Sequence, residues 1–212
     1  MTTGALLPAD SRARIDALLA DGRRRLLGIA GAPGAGKSTL AEALQGALGG
    51  RAQVVPMDGF HLANVQLQRL GRADRKGAPD TFDADGYVAL LQRLRDQQPG
   101  DGIVYAPEYR REIGEPVAGA IAVLAHTQLV ITEGNYLLLD EGPWAGVRAL
   151  LDQAWYLDID DALRRERLLQ RHQRFGRSRE AALAWEAATD APNAHRIAAT
   201  RVLADHRVQW TG

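Results

Sequence analysis

No cysteine occurs among these 212 residues, and only two lysines stand among the 26 basic side chains. Without thiols there are no disulfides and no thiolate metal sites, which makes a cytoplasmic enzyme the expectation. Basic and acidic residues number 26 each, for a formal net charge of zero. No global field then draws the chain to nucleic acid or to an anionic membrane. No apolar run approaches the roughly 20 residues that cross a bilayer. Residues 1–25 carry scattered Arg and Asp where a signal peptide would have an apolar core. There is no internal repeat, low-complexity tract or evident linker, and the length suits one domain over 1–212.

One of the two lysines, Lys37, closes the string Gly31-Ala32-Pro33-Gly34-Ala35-Gly36-Lys37-Ser38. This fits G-x-x-x-x-G-K-[ST], a loop whose backbone N–H groups turn inward around phosphate oxygens. An apolar run, Leu26 to Ala30, precedes it, and a helical pattern from Thr39 to Leu48 follows. Strand, glycine loop and helix are the context the motif needs, with the helix N-terminus adding partial positive charge. Residues 31–39 are therefore expected to hold ATP, with Lys37 on the β/γ-phosphates and the Ser38 hydroxyl on Mg²⁺.

The remaining pattern alternates strands and helices. Strands are predicted at 53–57, 129–132, 154–157 and 206–210. Short ones at 103–106 and 121–124 flank an irregular polar segment. Helices are predicted at 10–21, at 161–175, and from the N-cap Asp83 to Gln97, with two more following Phe175. Continuous apolar strands alternating with helices imply an α/β three-layer fold, a mainly parallel five-stranded sheet covered on both faces. Ligands in such sheets bind beyond the carboxyl ends of the strands. Asp58, in Met57-Asp-Gly-Phe-His61, and Glu133, in Ile131-Thr-Glu-Gly-Asn135, both stand at such ends. If both strands neighbour the first, both carboxylates open beside the glycine loop. One can take a proton from an acceptor hydroxyl while the other holds the metal. Asp58 is assigned to the base and Glu133 to the metal, although the swapped roles and a turn-capping role for both fit the same residues.

Arg164, Arg167, Arg171 and Arg174 are spaced 3, 4 and 3 and fall within about 80° of a helix face. Such a row can neutralise charge on a transferring phosphoryl group; most of it is equally read as a solvated face. Arg167 and Arg171 are the choice, with Gly176-Arg177-Ser178 at the tip of a lid over about 164–190.

The strings Gly-x-x-Gly-x-Gly-Lys-Ser, Met-Asp-Gly-Phe-His and Glu-Gly-Asn-Tyr, followed by an Arg-rich helix, resemble the uridine kinase, phosphoribulokinase and bacterial pantothenate kinase family. The likeness is strongest to bacterial members labelled nucleoside kinase-like or fructose transport system kinase. Arg75-Lys-Gly-Ala-Pro-Asp80-Thr-Phe-Asp83 and Asp190-Ala-Pro-Asn193-Ala belong to it. The resemblance implies a P-loop fold, ATP, Mg²⁺ and phosphorylation of a hydroxyl on a small metabolite. By motif position it also implies Asp58 as base, a lid arginine at 167 or 171, and Asn193 against adenine.

Acceptor-binding segments are expected at about 58–83, with His61, Arg75, Lys76 and Phe82, and at about 103–116, with Tyr105, Tyr109 and Arg111. The string Tyr105-Ala-Pro-Glu-Tyr109-Arg110-Arg111 stands where uridine kinases carry Pro-x-Tyr-Asp-Phe, with arginines in place of the acid. This weakens a nucleoside acceptor and favours an anionic or polyol one. Arg110 and Arg111 read equally as an anion clamp and as part of a solvated loop. The partner expected is a small-molecule acceptor, not nucleic acid or membrane, with a homodimer compatible. Two further classes stay open: an ATPase switch acting with a protein partner, and a nucleotide-binding module without catalysis.

Overall fold

A computed structural model describes residues 8–210; 1–7 and 211–212, the ends of the expected 1–212 domain, lie outside it. The elements are α1 (Ala9–Leu18), β1 (Arg25–Ala30), α2 (Lys37–Leu48), β2 (Ala52–Val54), α3 (Asn64–Arg69), α4 (Ala84–Asp96), β3 (Val104–Arg110), β4 (Glu115–Val123), β5 (Leu129–Gly134), β6 (Gln153–Asp158), α5 (Asp161–Arg174), α6 (Arg179–Trp185), α7 (Ala191–Ala199) and β7 (His206–Gln209).

Five strands form one sheet in the order β2-β5-β1-β6-β7, and every neighbouring pair is parallel. Parallel strands buried on both faces need apolar residues at consecutive positions. In β1, Leu26 and Ala30 enter one core with α4, α7 and the 136–151 segment. Leu27 and Ile29 enter the other core with α1 and α2. The three-layer α/β expectation is met, with a sheet parallel throughout.

Three expectations are revised. The second strand stops at Val54 instead of reaching Met57. Val55 still donates to Ile131 O at 2.8 Å, but beyond the extended Pro56 the chain leaves the sheet as Met57–Phe60 coil into a 3₁₀ turn. This strand neighbours β5, not β1. The polar segment expected between short strands is itself part of a hairpin. There β3 and β4 pair antiparallel as a separate two-stranded sheet, with the register slipping between Ala106 and Glu108, around Pro107. Helix starts follow local capping: Asp83 Oδ1 accepts from Gly86 N at 2.9 Å, and Asp160 Oδ1 accepts from Leu163 N at 3.0 Å. The last two helical stretches run together through a π turn, Glu186–Asp190. No helix among the described residues is long and apolar enough to cross a membrane.

Candidate active site

The glycine loop leaves β1 and enters α2 at Gly36, which has φ of 96°. Gly34 has φ of 84°, and a Cβ there would stand 2.8 Å from the Arg164 carbonyl oxygen. Both the left-handed backbone and the approach of α5 therefore require glycine at 34. We expect Gly34→Ala to cost about 1–3 kcal/mol through strain, with more from the clash. Thermal unfolding with and without ATP checks this, with loss of the ATP-induced rise in Tm expected.

Arg164, first of the arginine row, is buried. It donates from Nη1 to Pro33 O at 3.0 Å and from Nε to Asp161 Oδ1 at 2.9 Å. It fastens α5 to the glycine loop, so it belongs neither to a solvated face nor to the open cavity. Arg167 Nη1 lies 3.8 Å from where a Cβ on Gly36 would be. Arg171 lines the cavity, and Arg174 is exposed.

Lys37 is only 8% exposed, and its ammonium donates to Ala32 O at 3.2 Å and Asn135 Oδ1 at 2.8 Å. Burial lowers its pKa to about 8, against the opposing pull of Glu133 and Asp58. Glu133 is buried near the carboxyl end of β5, and its Oε1 accepts from Ser38 Oγ at 2.8 Å. Burial raises its pKa, the Asp58 charge adds to the rise, and Lys37 and the Ser38 hydrogen bond oppose it. Thr39 is exposed at the start of α2.

Asp58 rides the 3₁₀ turn after β2. Its Oδ2 meets Arg111 Nη2 of the hairpin at 3.4 Å, and its backbone oxygen accepts from His61 Nδ1 at 2.8 Å. A carbonyl can only accept, so the proton is on His61 Nδ1; burial lowers the pKa of this ring. His61 lies between Phe82, at 4.0 Å between ring centres, and Tyr109, at 4.7 Å. Lys76 Nζ donates to Asn64 Oδ1 at 2.5 Å and Gly114 O at 2.6 Å, and it sits 5.2 Å over the Tyr109 ring. The 77–79 stretch is tied to the core by Tyr136 Oη on Gly77 O at 2.5 Å and Trp144 Nε1 on Pro79 O at 3.2 Å.

These groups share one cavity of about 230 Å³. Pro33, Lys37, Ser38, Asp58 and Glu133 line it with His61, Lys76, Phe82, Tyr109, Arg111, Arg171 and Asn193. Two expected acceptor residues are not brought there. Tyr105 is 54% exposed, because strand alternation buries its neighbours Val104 and Ala106. The Arg75 guanidinium is instead paired with Asp80 at 2.9 Å. Arg110 is likewise paired along its own hairpin, with Glu108 at 2.7 Å.

Sequence reasoning missed Asn135, which holds Lys37, though it belongs to the quoted Glu-Gly-Asn string. It also missed the cavity's far end, where Arg177 stacks 3.8 Å over Trp185 and His172 meets Asp190 at 2.8 Å. No sequence spacing signals those contacts. Trp144 and Trp155 are core residues.

A hard cation such as Mg²⁺ takes one or two carboxylates together with phosphate and water oxygens. The hydroxyl of Ser38 and the carboxylate of Glu133, already in contact beside the loop, fit that donor set. Among the described residues no cluster of three His, Cys, Asp or Glu offers an all-protein cage. Loop, cation donors, a second carboxylate and guanidinium groups facing one cavity can position a polyphosphate against a hydroxyl.

The phosphoribulokinase / uridine kinase family model matches residues 26–199. A protein of Schizosaccharomyces pombe provisionally named a uridine kinase is 37% identical over 167 residues, covering 73% of this chain and 69% of its own. A pantothenate kinase of Limosilactobacillus reuteri is 32% identical over 152 residues, covering 69% and 48%. The crystal structure of a provisionally assigned fructose transport system kinase from Silicibacter sp. TM1040 superposes with TM-score 0.82 and 37% identity, covering 92% of this chain and 98% of that one. With the glycine loop, the parallel sheet and the family match over 26–199 in agreement, the chain belongs to the phosphoribulokinase / uridine kinase family of P-loop small-molecule kinases.

Proposed function

We propose that this enzyme moves the γ-phosphoryl group of ATP to a hydroxyl of a small polyol, sugar, pantothenate-like or nucleoside acceptor, with Asp58 as the base. The separation of the two carboxylates carries the reading. Glu133 is buried and bonded to Ser38, as a metal-side group would be, whereas Asp58 faces the hairpin wall with Arg111 and His61. Ser38 and Glu133 would hold Mg²⁺, which would supply positive charge against the polyphosphate. Lys37 supports the β/γ-phosphates, Asn135 aims its ammonium, and Arg171, with Arg167 beside Gly36, meets the charge that develops on the transferring group. Asp58 accepts the acceptor's hydroxyl proton as that oxygen bonds to the γ-phosphorus and the bond from phosphorus to the bridging oxygen breaks, releasing ADP.

His61 holds the backbone of Asp58 through a neutral ring, so the base is oriented without a competing charge. Asn193 and the Arg177–Trp185 stack flank the nucleotide's base end. The segment 164–190 serves as a lid that excludes water.

The test is consumption of MgATP with and without pooled acceptors: nucleosides, pantothenate, hexoses, pentoses, sugar phosphates and hydroxy acids. Stimulation by a pool is the expected result. Slow hydrolysis indifferent to every pool would point to the ATPase switch instead.

A further inference from the structure

We infer that the acceptor is a small polyol bearing one anionic group, a carboxylate or a phosphate monoester, held by Lys76 and Arg111 on the cavity wall. This rests on the kinase reading and narrows it.

The first observation is the state of Lys76. It is partly buried on the cavity wall, and both its hydrogen-bond acceptors are neutral, an amide oxygen and a backbone carbonyl. Ion pairs among the described residues include none from Lys76 to a carboxylate. Glu115, whose charge acts on the ammonium without a hydrogen bond to it, has both oxygens on the Asn64 N–H at 3.1 Å. An ammonium has three donors, and two are in use. A cation removed from bulk water and bound only by neutral groups leaves its third donor for an anion entering the cavity.

Arg111 supplies the second cation. It reaches Asp58 through one nitrogen at 3.4 Å, a long contact for a group with five donors. An acceptor whose hydroxyl engages Asp58 brings its anionic end into the reach of the same guanidinium. That arrangement orients the molecule, with hydroxyl to the base and charge to Arg111 and Lys76.

The third observation concerns what the wall cannot do. Its aromatic rings are spent on one another and on cations. The His61 ring is tilted against Phe82 at 4.0 Å and against Tyr109 at 4.7 Å between centres, and Phe82 meets Tyr136 and Trp144 edge-on at 5.7 Å. Lys76 lies over Tyr109. A nucleoside base stacking on this wall would have to compete with those ring and cation contacts.

The experiment uses acceptors in matched pairs that differ only in the anion: glycerate against glycerol, a pentose phosphate against the free pentose, pantothenate against pantothenol, with uridine alongside. The variants are Lys76→Gln, which keeps a donor for Gly114 and removes the charge, and Arg111→Gln. We expect one charged member to exceed its neutral twin by roughly 100-fold or more in kcat/KM, as for a substrate held by two charge-assisted hydrogen bonds. Lys76→Gln should raise KM for that member by roughly 10-fold or more, with kcat changed far less. The carboxylate and phosphate pairs separate the two sources of the anion. Turnover of a neutral twin or of uridine equal to that of any charged acceptor, or a Lys76→Gln enzyme with unchanged KM for the preferred anion, overturns the inference and leaves the kinase intact. ATP hydrolysis indifferent to every member overturns the kinase reading itself.

Discussion

Asp58→Asn is expected to lower kcat by about 10²–10⁴-fold, the range for removing a general base, while ATP affinity stays within a factor of two or so. Asparagine keeps the size and the hydrogen-bonding oxygen but takes up no proton. The nucleotide side of the cavity is built from the loop, Lys37 and Glu133, none of which hydrogen-bonds to the Asp58 side chain. Stability is expected to move by only about 0.5 kcal/mol, because the Asp58–Arg111 pair is partly solvated and long at 3.4 Å. A folded, ATP-binding and inactive protein is thus the expected phenotype. Single-turnover kinetics and calorimetric titration with ATP measure the two halves, and near-normal turnover would remove Asp58 from the chemistry.

Lys37→Ala should act on both binding and rate. Its ammonium is a buried cation aimed into the cavity by Ala32 O and Asn135 Oδ1. Removing one preorganised donor for developing charge costs about 10²–10³ in kcat, and weaker phosphate binding adds about tenfold in affinity. Stability is expected to change less than activity, because relief of this buried charge is offset by leaving the buried Glu133 without its cationic neighbour. The free enzyme has a pH signature as well. With the folded pKa lowered to about 8 by burial, the ammonium loses its proton as pH rises through that value. Only the protonated form attracts phosphate, so ATP affinity should fall by up to about tenfold per pH unit above 8 in wild type. The same titration of Lys37→Ala should lack this step. A flat affinity profile in wild type between pH 7 and 10 would show that another cation carries the contact.

The arginine row shows how far one-dimensional periodicity reaches. Helical spacing placed Arg164, Arg167, Arg171 and Arg174 on one face, and the face is real. What each does depends on its distance from the glycine loop. Arg164, one turn into the helix, is buried against Pro33, Arg171 reaches the cavity, and Arg174 is in solvent. Sequence spacing cannot tell these apart, because the crossing of α5 over the loop is set by packing with a different part of the chain. Tyr105 failed for a similar reason. Tyr109 and Arg111 of the same segment line the cavity, but the pairing of β3 with β4 leaves Tyr105 exposed. A one-residue change of phase in a strand exchanges the buried and exposed faces.

What the sequence determined alone was pattern carried by contiguous residues: the glycine loop with Lys37 and Ser38 between strand and helix, the helix cap at Asp83, and the parallel character of the sheet. Backbone conformation at glycine, capping hydrogen bonds and continuous apolar strands are local, and local interactions are written in neighbouring residues. Tertiary structure decided the rest: that β5 separates β2 from β1, that Asn135 aims Lys37, that Arg111 reaches Asp58, and that Lys76 faces the cavity with neutral partners. Each of those joins residues 38 to 104 positions apart, except the brace of Lys76 on Asn64, whose second anchor at Gly114 exists only once the hairpin has closed. Such contacts depend on how chain segments pack after the cores form, and no spacing in the sequence encodes them.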